Sequence, residues 1–389
     1  MKLAQRMSRL GTETAFEVLL AARALEAQGR DIVHLEIGEP DFDTPANIVD
    51  AACQALRSGQ THYTPSAGIP PLREAIAAEM SRTRGIQVEP NQVVVTPGGK
   101  PIMFYLILAL AEPGTEVIYP NPGFPIYESM INFVGAKPVP VRLLEERGFR
   151  FDLDELREKV SDRTRLIIIN SPQNPTGGVL TREDLAGIAE VATKYDIPVM
   201  SDEIYDRMLY EGEFASIASL PGMSTSERTI ILNGFSKTYA MTGWRLGYGV
   251  MPAELAGHIT RLMTNSNSCT AAATQFAGIE ALKGPQDEAA KMVAAFKQRR
   301  DVIVAGLNQI PGIRCHKPEG AFYVFPNISA TGMKSKQMEQ FLLNEAGVAT
   351  LAGTSFGAYG EGYIRLSYAN SVDNLEKALD RIAGALAKR

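Results

Sequence analysis

TIILNGFSKTYAMTGWRLGYGVM, Thr229 to Met251, is the stretch on which the reading turns. It opens with an apolar run of strand length, Thr229 to Leu232, followed by small and polar residues, Asn233 to Ser236. Lys237 comes next, set among Ser, Thr, Tyr and Gly rather than on a charged face. Arg245 follows a turn later, after Gly243 and Trp244. Most lysines are solvated surface charges. Lys237, however, has no acidic neighbour within several residues, and glycines bracket it. A lysine held away from water can lose its proton and attack a carbonyl as a free amine. Ser236 and Arg245 beside it suit a phosphate, one as a hydroxyl donor and the other as a planar fork of donors. An amine nucleophile next to a phosphate site points to pyridoxal phosphate, which carries an aldehyde and a phosphate on one ring.

Around this stretch, strands alternate with helices. Val93–Thr96, Glu116–Tyr119, Pro138–Val141, Leu166–Asn170, Pro198–Ser201, Thr229–Leu232 and Leu246–Met251 read as strands. Between them, Pro97-Gly98-Gly99 opens a helix reaching Leu110, and Phe124–Val134 and Thr181–Tyr195 read as further helices. Continuous β-branched runs separated by helices predict an α/β fold with a mostly parallel sheet covered on both faces. Ligands of such sheets sit beyond the carboxyl ends of the strands, where the candidate residues cluster. Upstream, Glu13–Ala27, Pro45–Ser58 and Pro71–Arg84 read as helices, with a loop at His62-Tyr63-Thr64-Pro65. Downstream come a long helical region, Ala271–Leu307, a strand Ala321–Phe325 and a helix near Lys336–Ala346. The strand Tyr363–Tyr368 and a last helix from Val372, capped by Ser371 or Asn370, end the chain. The expected division is a large cofactor-binding domain over 45–285. An arm and a smaller α+β domain are expected from 1–44 and 286–389.

Bulk properties exclude several classes. At 389 residues the chain can bury two cores. A net charge of −5 argues against nucleic-acid binding, which usually needs a basic face. Cys53, Cys269 and Cys315 are isolated and odd in number, which predicts a reducing, cytoplasmic setting rather than a disulfide framework. No His or Cys pair has zinc-ligand spacing, so no metal is expected. The short apolar run Val18–Ala22, flanked by Glu17 and Arg23, does not make a signal peptide, and no run is long enough for a membrane span.

The segment S-K-x-Y-x-M-x-G-W-R-x-G, Ser236 to Gly247, resembles the cofactor-lysine motif of class I aminotransferases, the fold-type I pyridoxal-phosphate enzymes. Further motifs in the family's order extend the resemblance from about Gly38 to Tyr368. It implies that Lys237 holds the cofactor covalently and acts as the general base. In Ser171-Pro172-Gln173-Asn174-Pro175-Thr176-Gly177, Asn174 is implied to contact the cofactor's phenolic oxygen, together with Tyr205. Asp202, in Ser-Asp-Glu-Ile-Tyr, is implied to face the pyridine nitrogen and keep it protonated. Gly98-Gly99-Lys100 at a helix start offers backbone N–H groups to the phosphate. It is not a P-loop, because the spacing is wrong and Pro101 follows the lysine. Phe124 takes the place of the aromatic ring that stacks on the cofactor, a place often filled by Trp. Tyr63 resembles the tyrosine that reaches the phosphate from a neighbouring subunit, so a homodimer is expected.

Arg365 stands in an apolar strand, where a charge left without a partner costs several kcal/mol. The family's partner for it is the substrate α-carboxylate, with the Gly38 backbone closing over the same group. The substrate's far end is less determined. One aspartate aminotransferase branch uses an arginine from the neighbouring subunit, but Met263 to Leu282 contains none. Another branch places a lysine after the Gly-Gly turn, and Lys100 matches it. The expected activity is therefore amino transfer between an L-amino acid and a 2-oxo acid, of aspartate/glutamate type with some breadth. The alternatives inside the family are a carbon–sulfur β-lyase and an aminotransferase for neutral or aromatic amino acids. A serine hydrolase reading rests only on Gly353-Thr-Ser355-Phe-Gly357. It fails because that elbow needs a following helix and a later histidine, and the last histidine is His316.

Overall fold

The aliphatic and β-branched runs between Gln92 and Met251 form one sheet in the computed structural model, which describes residues 1–389. In chain order the strands are β1 (Val33–His34), β2 (Val93–Thr96), β3 (Glu116–Asn121), β4 (Lys137–Leu144), β5 (Arg150–Phe151), β6 (Thr164–Asn170) and β7 (Val199–Asp202). They continue with β8 (Thr229–Gly234), β9 (Gly247–Val250), β10 (Tyr323–Val324), β11 (Val348–Ala349), β12 (Leu351–Ala352) and β13 (Ile364–Ser367). The large sheet has eight strands in the order β2-β9-β8-β7-β6-β3-β4-β5.

Five adjacent strands, β8, β7, β6, β3 and β4, are parallel, as the helix-separated runs predict. Strand β9 runs against both neighbours. Its connection from β8, Phe235 to Leu246, is too short for a crossover helix, so the chain must return antiparallel. That reversal brings Lys237 and Arg245 to the same edge of the sheet. The carboxyl ends of β2, β3, β6, β7 and β8 and the amino end of β9 all lie there.

The runs are continuously apolar because both faces are covered. Successive side chains point to opposite faces. Leu166, Ile168, Ile230 and Leu232 pack with Ile102, Leu106, Met130 and Met263 on one side. Ile167, Ile169 and Val199 pack with Leu185 and Ile188 on the other, while Val93, Val95 and Ile231 pack there with Leu72, Ile76 and Leu246.

Helix ends follow local chemistry. Thr181 and Asp184 form a reciprocal capping box for Arg182–Lys194. Ser371, rather than Asn370, caps Val372–Ala387 by accepting from Asn374 N–H. The region read as one helix, Ala271–Leu307, is two, Ala272–Lys283 and Asp287–Leu307. Gly284 and Pro285 interrupt it, since proline breaks the hydrogen-bond ladder. The helix near Lys336–Ala346 is Ser335–Phe341 followed by a π turn, Leu342–Ala346. Ala253–Ser266 and Leu153–Lys159 are helices the sequence reading did not identify.

The remaining strands form two small sheets. β1 pairs in parallel with β11, joining residues near the N-terminus to residues near the C-terminus. β13 lies between β10 and β12, antiparallel to both. No helix is long and apolar enough to cross a membrane.

Candidate active site

The strand edge opens into a cavity of about 520 Å³. Gly38, Gly99, Lys100, Phe124, Asn174, Asp202, Tyr205, Ser236, Lys237, Arg245 and Arg365 all line it. Tyr63 does not. It is 90 % exposed on the outside of the chain.

Lys237 follows β8 and turns its side chain back toward the N-terminal segment. Its Nζ donates to the Gly38 carbonyl at 2.5 Å and sits 5.6 Å and 5.9 Å from the ring centres of Phe322 and Tyr205. Burial among these groups lowers the amine's pKa to about 8, with Arg365 adding to the effect and Glu39 opposing it. The free-amine form needed for nucleophilic attack is thus accessible near neutrality.

Asp202 ends β7, in register with Asn170 on β6 and Leu232 on β8. The strand includes Asp202, one residue beyond its expected end. Burial raises the carboxyl pKa to about 6, against a hydrogen bond from Tyr127 at 2.6 Å that lowers it. Asn170 ties two loops together. Its Nδ2 donates to the Asp202 carbonyl at 2.9 Å and its Oδ1 accepts from Asn174 N–H at 3.0 Å.

Arg245 precedes β9 with φ 56°, a left-handed conformation that costs a non-glycine residue on the order of 1–3 kcal/mol. Its guanidinium donates to the Thr242 carbonyl at 2.8 Å and crosses the Gly98 turn. A Cβ on Gly98, whose φ is 86°, would lie 2.3 Å from Arg245 Nη2. Only glycine lets the arginine lie against the start of helix Lys100–Leu110, where the first amides have no intrahelical acceptor. Ser236 shares this side of the cavity. A cation, a hydroxyl and free amides converging at a helix start are the donor set a phosphate requires.

Arg365 lies in β13, fully buried. Nη1 donates to Asn174 Oδ1 at 3.0 Å and Nη2 to the Glu36 carbonyl. The guanidinium stacks 4.5 Å over the Tyr323 ring and 4.8 Å over Phe356. It has no carboxylate partner, and its buried Nε has no acceptor at all. A buried guanidinium left in this state favours a ligand carboxylate.

Three residues that the sequence reading passed over belong to this constellation. Tyr127 supports Asp202. Tyr323 joins Tyr205, Oη to Oη at 2.8 Å, and occupies the space against Gly38, where a Cβ would lie 2.1 Å from its Oη. Glu13, from the arm, pairs with Lys100. Tyr127 had a local signal, one helical turn after Phe124 at the end of β3. Tyr323 and Glu13 had none. The serine of the hydrolase-like Gly353–Gly357 segment accepts from the Thr14 hydroxyl at 2.8 Å rather than meeting a histidine.

A half-buried amine, a buried carboxyl group and two arginines around one cavity at the strand ends define an α/β enzyme acting on small anionic molecules. Comparison with known proteins gives the family. The sequence pattern of the family described as "Aminotransferase class I and II" matches residues 30–382. An aspartate aminotransferase of Pyrococcus horikoshii is 45 % identical, covering 92 % of this chain and 91 % of its own. The structure of an alanine aminotransferase from Pyrococcus furiosus superposes with a TM-score of 0.95 at 37 % identity over 100 % of both chains. That of an aromatic aminotransferase from Pyrococcus horikoshii gives 0.90 at 41 %, over 95 % of this chain and 99 % of that one. The chain belongs to the class I and II aminotransferase family.

Proposed function

We propose that this aminotransferase uses pyridoxal 5′-phosphate to exchange the amino group between an L-amino acid and a 2-oxo acid, with aspartate and glutamate among its substrates. The observation that carries the reading is the arrangement of Lys237, Asp202, Arg245 and Arg365 around one cavity. The cofactor, when bound, supplies an aldehyde and a ring that accepts electrons from the amino acid's Cα. Arg245, Ser236 and the amides at Gly99 and Lys100 would hold its phosphate. Asp202 would hold the ring nitrogen's proton, Asn174 and Tyr205 would meet the phenolic oxygen, and Phe124 would cover the ring. Lys237 would hold the cofactor through Nζ and, once released, take the proton from the substrate's Cα. Arg365 would bind the α-carboxylate in its planar fork, with Gly38 closing over it.

The chain reads as a large cofactor-binding unit over 45–285 with the small α+β unit from 1–44 and 286–389. Two small sheets outside the large one support that division. Three free cysteines support a reducing, cytoplasmic setting. The exposed Tyr63 ring supports a homodimer in which it would reach a partner's phosphate site.

The substrate range extends to neutral amino acids in this reading. Relatives named for aspartate, alanine and aromatic substrates support that breadth. Lys100, half-exposed and paired with Glu13, would meet the far end of an acidic substrate. The experiment is a matrix of amino donors and 2-oxo acid acceptors with the cofactor-loaded enzyme. Transfer that depends on the acceptor, with aspartate and glutamate among the good donors, is expected. Acceptor-independent release of pyruvate would instead make the protein a β-lyase.

A further inference from the structure

The segment ahead of helix Ala15–Glu26 runs along the cavity, and Glu13, Thr14, Ala15 and Phe16 form part of its wall. Near the cavity it is attached through polar groups. Gly11 N–H donates to Ser129 Oγ at 2.9 Å, Thr14 to Ser355 Oγ at 2.8 Å, and Glu13 pairs with Lys100. The two ends of that ion pair are unequally covered, with the Glu13 side chain 19 % exposed and Lys100 50 %. Lys100 Nζ also lies 5.4 Å from the centre of the Phe124 ring. A carboxylate of the protein therefore occupies a cation on the cavity wall, next to an aromatic ring on the cofactor side of the site.

We propose that Glu13 determines specificity by standing in for the side-chain carboxylate of an acidic substrate. This inference rests on the reading of Lys100 given above. With a neutral substrate the Glu13–Lys100 pair stays closed, and the wall next to an apolar side chain carries no net charge. With aspartate or glutamate, the substrate's distal carboxylate replaces Glu13 on Lys100, and the glutamate turns out to water. The acidic substrate then gains only the difference between two ion pairs. That difference is small, because an ion pair of this exposure is weak. Without Glu13, Lys100 would be an uncompensated cation at a helix start, where the helix dipole already disfavours positive charge. Such a wall would select for dicarboxylates. Glu13 thus narrows the gap between acidic and neutral substrates and lets one cavity serve both.

The test compares the wild-type holoenzyme with Glu13→Gln in two measurements. Calorimetric titration with maleate, a non-reacting dicarboxylate, and with propionate, a monocarboxylate, reads binding alone. Kinetics with aspartate and alanine read the ratio of kcat/KM values. Glu13→Gln is expected to tighten maleate binding, and to raise the aspartate-to-alanine ratio, by about fivefold, the upper value for a partly exposed pair. Propionate affinity should not follow. In a Lys100→Ala background the same substitution should lose both effects. Unchanged maleate affinity, equal changes for both acids, or an effect that persists without Lys100 would each overturn the proposal. If the wild type transfers no amino group from any donor, the aminotransferase reading of the site fails, and the maleate titrations still report on Glu13. If the wild type transfers but neither ratio nor affinity moves, the role of Glu13 alone is refuted.

Discussion

The amine of Lys237 donates to the backbone carbonyl of Gly38 at 2.5 Å, across 199 residues of sequence. Lys237 follows β8 of the large sheet, and Gly38 lies beyond β1, which pairs with β11 in a separate small sheet. This contact brings two distant parts of the sequence together at the proposed point of chemistry. A carbonyl accepts from either form of the amine, so the contact holds Nζ in the cavity without forcing it to carry a charge.

Replacing Lys237 with alanine is expected to remove the nucleophile and the base together. Turnover should fall by at least about 10²–10⁴-fold, the contribution of positioned acid–base catalysis alone. The visible absorbance of bound cofactor should disappear as well. A variant retaining near wild-type kcat would remove Lys237 from the mechanism.

The depressed pKa of Lys237 should make uptake of the proposed cofactor pH-dependent. Only the neutral amine attacks the aldehyde, so the rate rises with pH while the amine is losing its proton. With a pKa of about 8, uptake by the cofactor-free chain should climb between pH 6 and 8 and level off above. An ordinary lysine, with a pKa near about 10.4, would give a rate still rising at pH 9 to 10. Stopped-flow mixing with pyridoxal phosphate across this range distinguishes the two.

Tyr127→Phe should act through Asp202. The tyrosine hydroxyl stabilises the ionised carboxylate, so its loss raises a pKa that burial has already moved to about 6. Less of Asp202 is then charged at pH 7. The acid limb of the kcat profile should shift to higher pH, with kcat partly restored in more alkaline buffer. A profile merely scaled down at every pH would assign Tyr127 a packing role only.

Arg245→Ala should weaken cofactor retention by about 1.5–3 kcal/mol, the worth of hydrogen bonds to a charged group. The dissociation constant for pyridoxal phosphate would rise by roughly 10- to 150-fold. Fluorescence titration of the cofactor-free protein measures this directly. Unchanged affinity would leave the left-handed backbone at Arg245 without a functional reason.

Shared active sites in a homodimer are testable by mixing Tyr63→Phe and Lys237→Ala subunits under exchange conditions. Each mixed dimer would contain one site with both native residues and one with neither. Activity above the average of the two parents is expected if Tyr63 crosses to the partner's site. Activity equal to that average would mean it does not.

Sequence alone determined the α/β class, the strand–helix alternation and many of the residues that line the cavity, though not Glu13, Tyr127 or Tyr323. These are legible because they are local. A buried parallel strand reads as an unbroken β-branched run, a turn that admits a ligand reads as glycine, and Lys237 and Arg245 lie close together in the chain. Local reading also erred locally. It ran one helix through Gly284-Pro285 and passed over Ala253–Ser266, whose amphipathic pattern carried no strong start or stop beyond Pro252. The tertiary structure decided the rest. That Tyr127 reaches Asp202 75 residues away and that Tyr323 meets Tyr205 follow from strand order and helix placement. The same holds for Glu13 and Lys100, 87 residues apart. Neither carries a local sign of the other, because a salt bridge between distant segments is set by how the arm lies across the finished sheet.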